Sequence, residues 1–93
     1  MRLTSQEVSV IKSSILRCDP KAKIVLFGSR VHDDKRGGDI DLLILSDSLT
    51  FPDKARIKHA IFESLEEQRI DITISNDLTD PFVQIALKEG IFL

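Results

Sequence analysis

The sequence predicts an α/β (α+β) domain in which helices pack on a small β-sheet of three to four strands. Two apolar runs and one alternating segment have the length of strands, and two other segments repeat apolar residues at helical spacing. A third segment is bracketed by residues that start and end helices. These segments follow one another in the order α-β-β-α-β-α. The chain has 93 residues and no repeat or linker-like stretch, so we expect a single domain over residues 1–93.

The first three elements are predicted from apolar spacing and from the residues that bound them. Thr4-Ser5-Gln6-Glu7 has the form of a capping box, and an amphipathic helix is predicted from there to about residue 17. Residues 24–27 are continuously apolar and end at Gly28, which predicts a buried strand. After a polar, glycine-containing connection, residues 40–45 form the next predicted strand.

The second half of the chain is predicted in the same way. Apolar residues at helical spacing indicate a helix over about residues 53–67. In residues 70–74, isoleucines alternate with polar side chains, which is the pattern of a half-buried strand. Asp80 as N-cap, Pro81 at the first helical position and Gly90 after the end bracket a last short helix.

Charge, hydropathy and cysteine content exclude several classes of protein. The 13 Lys and Arg residues against 15 Asp and Glu give a formal charge of −2, which argues against direct binding to nucleic acid. No apolar run approaches the ~20 residues of a membrane span, so we expect no membrane association. The lone Cys18 cannot form an intrachain disulfide, and we expect a cytoplasmic protein in which Cys18 is a small packing residue.

Three aspartates are candidate metal ligands. Asp39 and Asp41 are two residues apart at the start of a predicted strand, so their side chains point to the same face, where like charges repel unless a cation lies between them. Asp71 belongs to the polar face of another strand. If the two strands are neighbours, three carboxylates converge, and such hard oxygen ligands suit Mg²⁺ or Mn²⁺. A lone Asp-x-Asp is more often solvated, but the combination of this pair with a third aspartate on another strand favours a metal site.

Gly28 and Ser29 directly follow the first predicted strand. Glycine permits close approach of the backbone, and serine adds a hydroxyl beside free N–H groups, a combination that can hold phosphate oxygens. Taken alone, the dipeptide is better explained as an ordinary strand-to-helix turn with Ser29 as the N-cap.

Taken together, these segments resemble the DNA polymerase β-like nucleotidyltransferase superfamily. The resemblance rests on three segments. These are Phe27-Gly28-Ser29-Arg30, then Asp39-Ile40-Asp41, which follows the nine residues 30–38, and then Asp71 between two isoleucines. It covers nearly the whole chain and implies that superfamily's small mixed sheet. The short length is similar to that of the minimal nucleotidyltransferases (MNT proteins). Arg30 matches a commonly basic position and is a secondary candidate for phosphate contact, although a solvated loop arginine explains it equally well.

The resemblance implies a role for each matched position. Asp39 and Asp41 would bind two Mg²⁺ ions, with Mn²⁺ as a possible substitute. Asp71 would complete the site of the catalytic metal and help to activate the attacking hydroxyl. Gly28 and Ser29 would grip the β- and γ-phosphates of ATP, the substrate.

The resemblance also implies a biological role, because MNT proteins are usually encoded beside a helical HEPN-domain protein. The chain would then be the antitoxin that transfers AMP from ATP to its HEPN partner and inactivates it. Related pairs are understood to modify a tyrosine of the partner. Because this chain contains no tyrosine, an AMP-tyrosine product could be made only on another protein.

Two other interpretations stay open. In the first, the chain is a binding module that neutralises the HEPN protein by occlusion. The apolar last helix and Ile91-Phe92-Leu93 motivate this interpretation, although closure of the core explains them at least as well. The second, a subunit of a small-molecule adenylyltransferase, is weaker because 93 residues leave no room for an acceptor domain. For the same reason we expect a hetero-oligomer or homodimer, and weak base selectivity in the isolated chain.

Overall fold

The computed structural model describes residues 3–28, 39–65 and 69–93. Three helices and four strands lie in these ranges, in the order α1 (Ser5–Leu16), β1 (Lys23–Phe27), β2 (Ile40–Leu45), α2 (Phe51–Ser64), β3 (Ile70–Ser75), α3 (Pro81–Glu89) and β4 (Ile91–Phe92). None of these helices is long and apolar enough to cross a membrane. The predicted α+β class is confirmed.

The four strands form one mixed sheet in the order β3-β2-β1-β4. β1 is antiparallel to both β2 and β4, whereas β2 and β3 are parallel. The parallel pair requires a crossover connection, and α2 supplies it. The starts of β2 and β3 therefore lie at the same edge of the sheet, which is the edge that carries the candidate aspartates.

One face of the sheet carries the main core. Alternate residues of β1, β2 and β3 point to this face and pack against isoleucines of α1 and α2. The buried members of this cluster are Ile11, Ile15, Ile24, Leu26, Ile40, Leu42, Ile44, Ile57, Ile61, Ile70 and Ile72. The intervening strand residues point to the opposite face, so polar side chains in these strands lie away from this core.

The opposite face carries a smaller apolar cluster beneath α3. Val83 and Ala86 of α3 are buried against Val25 of β1 and Leu43 of β2. Phe27, Leu45 and Leu87 are partly buried around this cluster. This is also the face to which Asp41 and Asp71 belong, because they alternate with the residues of the main core.

The helix boundaries confirm two predictions and correct one. Thr4 and Glu7 form the predicted capping box of α1, and Asp80 caps α3 as expected. The predicted start of α2 at residue 53 is wrong, because the helix begins at Phe51 and the Asp53 carboxylate accepts a hydrogen bond from the Thr50 N–H at 2.8 Å. Proline is tolerated in a first helical turn, where its missing N–H has no intrahelical partner to lose.

Two further predictions are wrong, and the structure adds the fourth strand that the predicted sheet of three to four strands allowed. The end of α2 at residue 67 is wrong, because Leu65 already has extended backbone angles (φ −121°, ψ 154°). Ile91 and Phe92 form β4, a strand too short to show the alternation of apolar and polar residues in the sequence. The Leu93 N–H donates to the Ile24 carbonyl at 2.9 Å and extends the pairing of β4 with β1. Cys18 is exposed and is not the packing residue that was expected.

Candidate active site

Asp41 and Asp71 are direct partners in the parallel register of β2 and β3. Directly opposed residues of neighbouring strands point to the same face, so the two carboxylates lie side by side. Asp39 lies two residues before Asp41, immediately ahead of β2. The tertiary structure therefore brings the three candidate aspartates to one edge of the sheet, while their metal-binding and catalytic roles stay predictions.

Asp41 is half-buried at this edge. Burial, followed by the negative charges of Asp71 and Asp39, raises the pKa of the Asp41 carboxyl above its ordinary value. The ionised form of Asp41 is thus disfavoured by its surroundings. A cation placed among the three groups would reverse that effect.

Asp39 has a cationic neighbour. The Arg69 Nε atom lies 3.7 Å from Asp39 Oδ1, and the Arg69 side chain is 86% exposed. The backbone supports this arrangement, because the Ile40 N–H donates to the Arg69 carbonyl at 2.9 Å. Arg69 precedes Asp71 by two residues, so a guanidinium and the carboxylates occupy the same edge of the sheet.

The donor atoms of the three aspartates have the chemistry that a divalent metal ion prefers. Three carboxylates at one edge offer hard oxygen ligands of the kind that Mg²⁺ and Mn²⁺ prefer. In the ranges 3–28, 39–65 and 69–93, however, no three His, Cys, Asp or Glu side chains already converge on one metal position. Carboxylates that repel one another are expected to stand apart until a cation lies between them.

Gly28 lies against this carboxylate cluster. Its φ of +78° is in the left-handed region, and a Cβ atom there would overlap Asp41 Oδ2 and stand 3.3 Å from Asp41 Cγ. The contact arises because Phe27, the preceding residue, is the antiparallel partner of Asp41. Glycine is therefore required both for the backbone conformation and for the close approach. The other predicted phosphate-binding residues, Ser29 and Arg30, lie outside the described residues.

The sequence interpretation missed an aromatic pair beside the aspartates. The rings of Phe27 and Phe82 meet edge to face, with centroids 5.5 Å apart and an interplanar angle of 83°. Phe27 is half-buried, whereas Phe82, in the first turn of α3, is 45% exposed. No local signal in the sequence pairs residues 27 and 82, because their contact depends on how α3 packs on the sheet.

A group of hydrogen bonds to Asp19 lies at the other end of β2 and has a structural role. Asp19, which is 8% exposed, accepts hydrogen bonds from Ser46 Oγ at 2.5 Å and from the Lys21 N–H at 3.0 Å. These bonds lower the pKa of the Asp19 carboxyl. A cavity of about 460 Å³ is lined by Asp19, by Ser46 and by Leu45 at the end of β2. The cavity therefore lies at the opposite end of that strand from Asp41.

Comparison with known proteins agrees with this geometry. A sequence model of the family described as "Nucleotidyltransferase domain" matches residues 8–93, which include Gly28 and all three aspartates. The chain is similar to the protein named "Probable protein adenylyltransferase MntA" from Haemophilus influenzae, with 31% identity over 88 residues, or 92% of this chain and 77% of that protein. The chain therefore belongs to the nucleotidyltransferase family, as a minimal nucleotidyltransferase that transfers nucleotides.

Proposed function

We propose that this chain transfers AMP from ATP to a hydroxyl group of a partner protein, a HEPN-domain toxin that the modification inactivates. The observation that carries the proposal is the register of Asp41 opposite Asp71, with Asp39 two residues before Asp41. The name of the similar protein, a probable protein adenylyltransferase, supports AMP as the transferred group and a protein as its acceptor.

Asp39 and Asp41 are the residues proposed to hold two Mg²⁺ ions, and Asp71 is proposed to complete the site of the catalytic ion. The raised pKa of Asp41 supports this assignment, because the excess negative charge around it is what a divalent cation would neutralise. Bound Mg²⁺ supplies charge stabilisation to the attacking and departing oxygens of such a transfer.

The residues of the chain position the reacting groups. Gly28 and Ser29 bind the β- and γ-phosphates of ATP, and Asp71 accepts the proton of the attacking hydroxyl. The hydroxyl oxygen forms a bond to the α-phosphorus, the bond from that phosphorus to the bridging oxygen breaks, and pyrophosphate leaves. This reaction needs positioning and charge stabilisation and no covalent intermediate on the protein.

The acceptor lies on another molecule if it is a tyrosine. The chain has no tyrosine, so it cannot carry an AMP-tyrosine product itself. Nucleotide transfer to a tyrosine would then appear only when a partner protein is present, which makes intact-mass measurement of both chains decisive.

Incubation of the chain and its HEPN partner with labelled ATP and Mg²⁺ tests the proposal. We expect label, and a mass increase of whole AMP units, on the partner with the wild-type chain and none with Asp39→Asn/Asp41→Asn. Asp47→Asn is the matched control, because Asp47 is an exposed aspartate after the far end of β2 and should leave transfer intact. An unlabelled partner in the presence of folded wild-type chain would contradict the proposal.

A second candidate function is neutralisation by occlusion. It is favoured by the exposure of three large apolar side chains at α3 and β4, namely Phe82 (45%), Ile85 (58%) and Phe92 (56%). The triple variant Asp39→Asn/Asp41→Asn/Asp71→Asn separates the two functions. If the variant still neutralises the partner at stoichiometric amounts, occlusion is the function, whereas loss of neutralisation supports catalysis.

A further inference from the structure

Phe82 is an exposed aromatic side chain whose ring contacts Phe27, the strand partner of Asp41. Its ring is 45% exposed although it belongs to a helix whose neighbouring residues Val83 and Ala86 are buried against the sheet. Exposure of a phenylalanine ring costs hydrophobic free energy, part of which a stacked ligand would recover. Phe27 supports the Phe82 ring through the edge-to-face contact.

Phe27 connects Phe82 to the carboxylate edge. Phe27 and Asp41 are opposed residues of antiparallel strands, whose Cα atoms lie about 5 Å apart. The centroids of the Phe27 and Phe82 rings are 5.5 Å apart. A nucleotide whose phosphates lie at the carboxylate edge thus has one aromatic side chain, Phe27, between that edge and Phe82.

We propose that Phe82 is the surface on which the base of the nucleotide stacks, with Phe27 holding its ring in place. This inference rests on the nucleotide site proposed above and adds a base-binding residue to it. Stacking is available to every base because each has a π-face, so Phe82 strengthens binding without selecting a base. The ligand class is a nucleoside triphosphate, and adenine and guanine nucleotides should stack about equally.

The absence of Trp and Tyr from the chain allows a direct optical test. Phe82→Trp introduces a single indole at the proposed stacking position. We expect Mg·ATP and Mg·GTP to quench its fluorescence and Mg·tripolyphosphate, which has no base, to leave it unchanged. Ile85→Trp, at a 58% exposed position three residues along the same helix, is the matched control and should show no base-dependent quenching.

Calorimetry on unlabelled variants supplies an independent readout. Phe82→Ala should weaken Mg·ATP binding by about fivefold to tenfold, the lower range for one aromatic stacking contact, and leave Mg·tripolyphosphate binding unchanged. Phe82→Leu keeps an apolar side chain and should behave like Phe82→Ala. Circular dichroism melts confirm that each variant is folded, as expected for a side chain outside the buried core.

The possible outcomes separate this inference from the proposed function. Equal quenching by ATP and tripolyphosphate, equal quenching at positions 82 and 85, or unchanged ATP affinity in Phe82→Ala would overturn the role of Phe82. If wild-type ATP binding then still depends on Asp41, the proposed function survives. If the wild-type chain binds neither Mg·ATP nor Mg·tripolyphosphate, both the role of Phe82 and the nucleotide site are overturned.

Discussion

Asp41 and Asp71 occupy opposed positions on the parallel strands β2 and β3, thirty residues apart in the chain and side by side on one sheet face. Two like charges in this relationship repel, and the pKa of Asp41 is raised by burial and by both neighbouring aspartates. The arrangement costs stability to the chain by itself. A bound cation would relieve that cost, and its consequences can be measured.

Neutralising Asp41 should change the response of the chain to Mg²⁺. Asp41→Asn removes the repulsion, so we expect a melting temperature equal to or above that of the wild type without metal. Mg²⁺ should raise the wild-type melting temperature, by about 4–8 °C for each kcal/mol of linked binding, and leave the variant unchanged. Asp47→Asn should respond to Mg²⁺ like the wild type, and an Mg²⁺-dependent shift of equal size in Asp41→Asn would refute Asp41 as a ligand.

Gly28→Ala should impair both folding and the carboxylate site. The new Cβ would occupy a left-handed conformation and overlap Asp41 Oδ2, so we expect a loss of about 1–2 kcal/mol in urea denaturation together with a weaker stabilisation by Mg²⁺. Gly90→Ala is the matched control, since its Cβ would lie 2.5 Å from both Ala86 O and Val25 Cγ1, away from the aspartates. It should lose stability by overpacking but keep the Mg²⁺ response.

Arg69→Gln should tighten Mg²⁺ binding a few-fold. The exposed ion pair of Arg69 with Asp39 contributes little to folding, so stability should change by less than about 0.5 kcal/mol. Removal of the Arg69 guanidinium frees Asp39 from a competing cation, and calorimetric titration measures the resulting Mg²⁺ affinity. Arg56→Gln removes a similar pair, 3.7 Å from Asp53 on α2, and should leave Mg²⁺ affinity unchanged. Weaker Mg²⁺ binding in Arg69→Gln would show that the arginine supports the site.

Asp19→Asn should lower stability in a pH-dependent way. Hydrogen bonds from Ser46 and Lys21 lower the pKa of Asp19 in the folded chain, so the folded state binds fewer protons there than the unfolded state. The stability that this carboxylate contributes is present above its ordinary pKa of 3.8 and is lost as pH falls through the lowered value. Urea denaturation should therefore show a deficit at pH 7 that shrinks toward pH 3. A deficit independent of pH would assign the effect to packing.

The elements of this fold were largely predictable because their signals are local. The capping box at Thr4 and Glu7 lies within four residues, and β2 was bounded by the change from polar to apolar residues at Ile40. The start of α2 was less predictable, because Pro52 is equally compatible with a loop and with a first helical turn. β4 has two residues and exists only through its pairing with β1.

The candidate site was predictable only in part. Asp39 and Asp41 are two residues apart, so their nearness in space follows from the chain itself whatever the rest of the molecule does. Arg69 beside Asp39 and Phe82 beside Phe27 could not be inferred from spacing, because each pair joins segments separated by at least one helix.

The sequence by itself determined the strand and helix periods, the Asp39–Asp41 pair, and the lack of any tyrosine that could accept AMP in this chain. Only the tertiary structure decided that β3 lies beside β2 in the register that places Asp71 opposite Asp41. It also decided that Gly28 approaches the Asp41 carboxylate closely. The physical reason is that strand order and register are chosen by burial of the whole apolar face. A shift of one residue would turn every isoleucine of β3 away from the core, so the packing of those isoleucines positions Asp71.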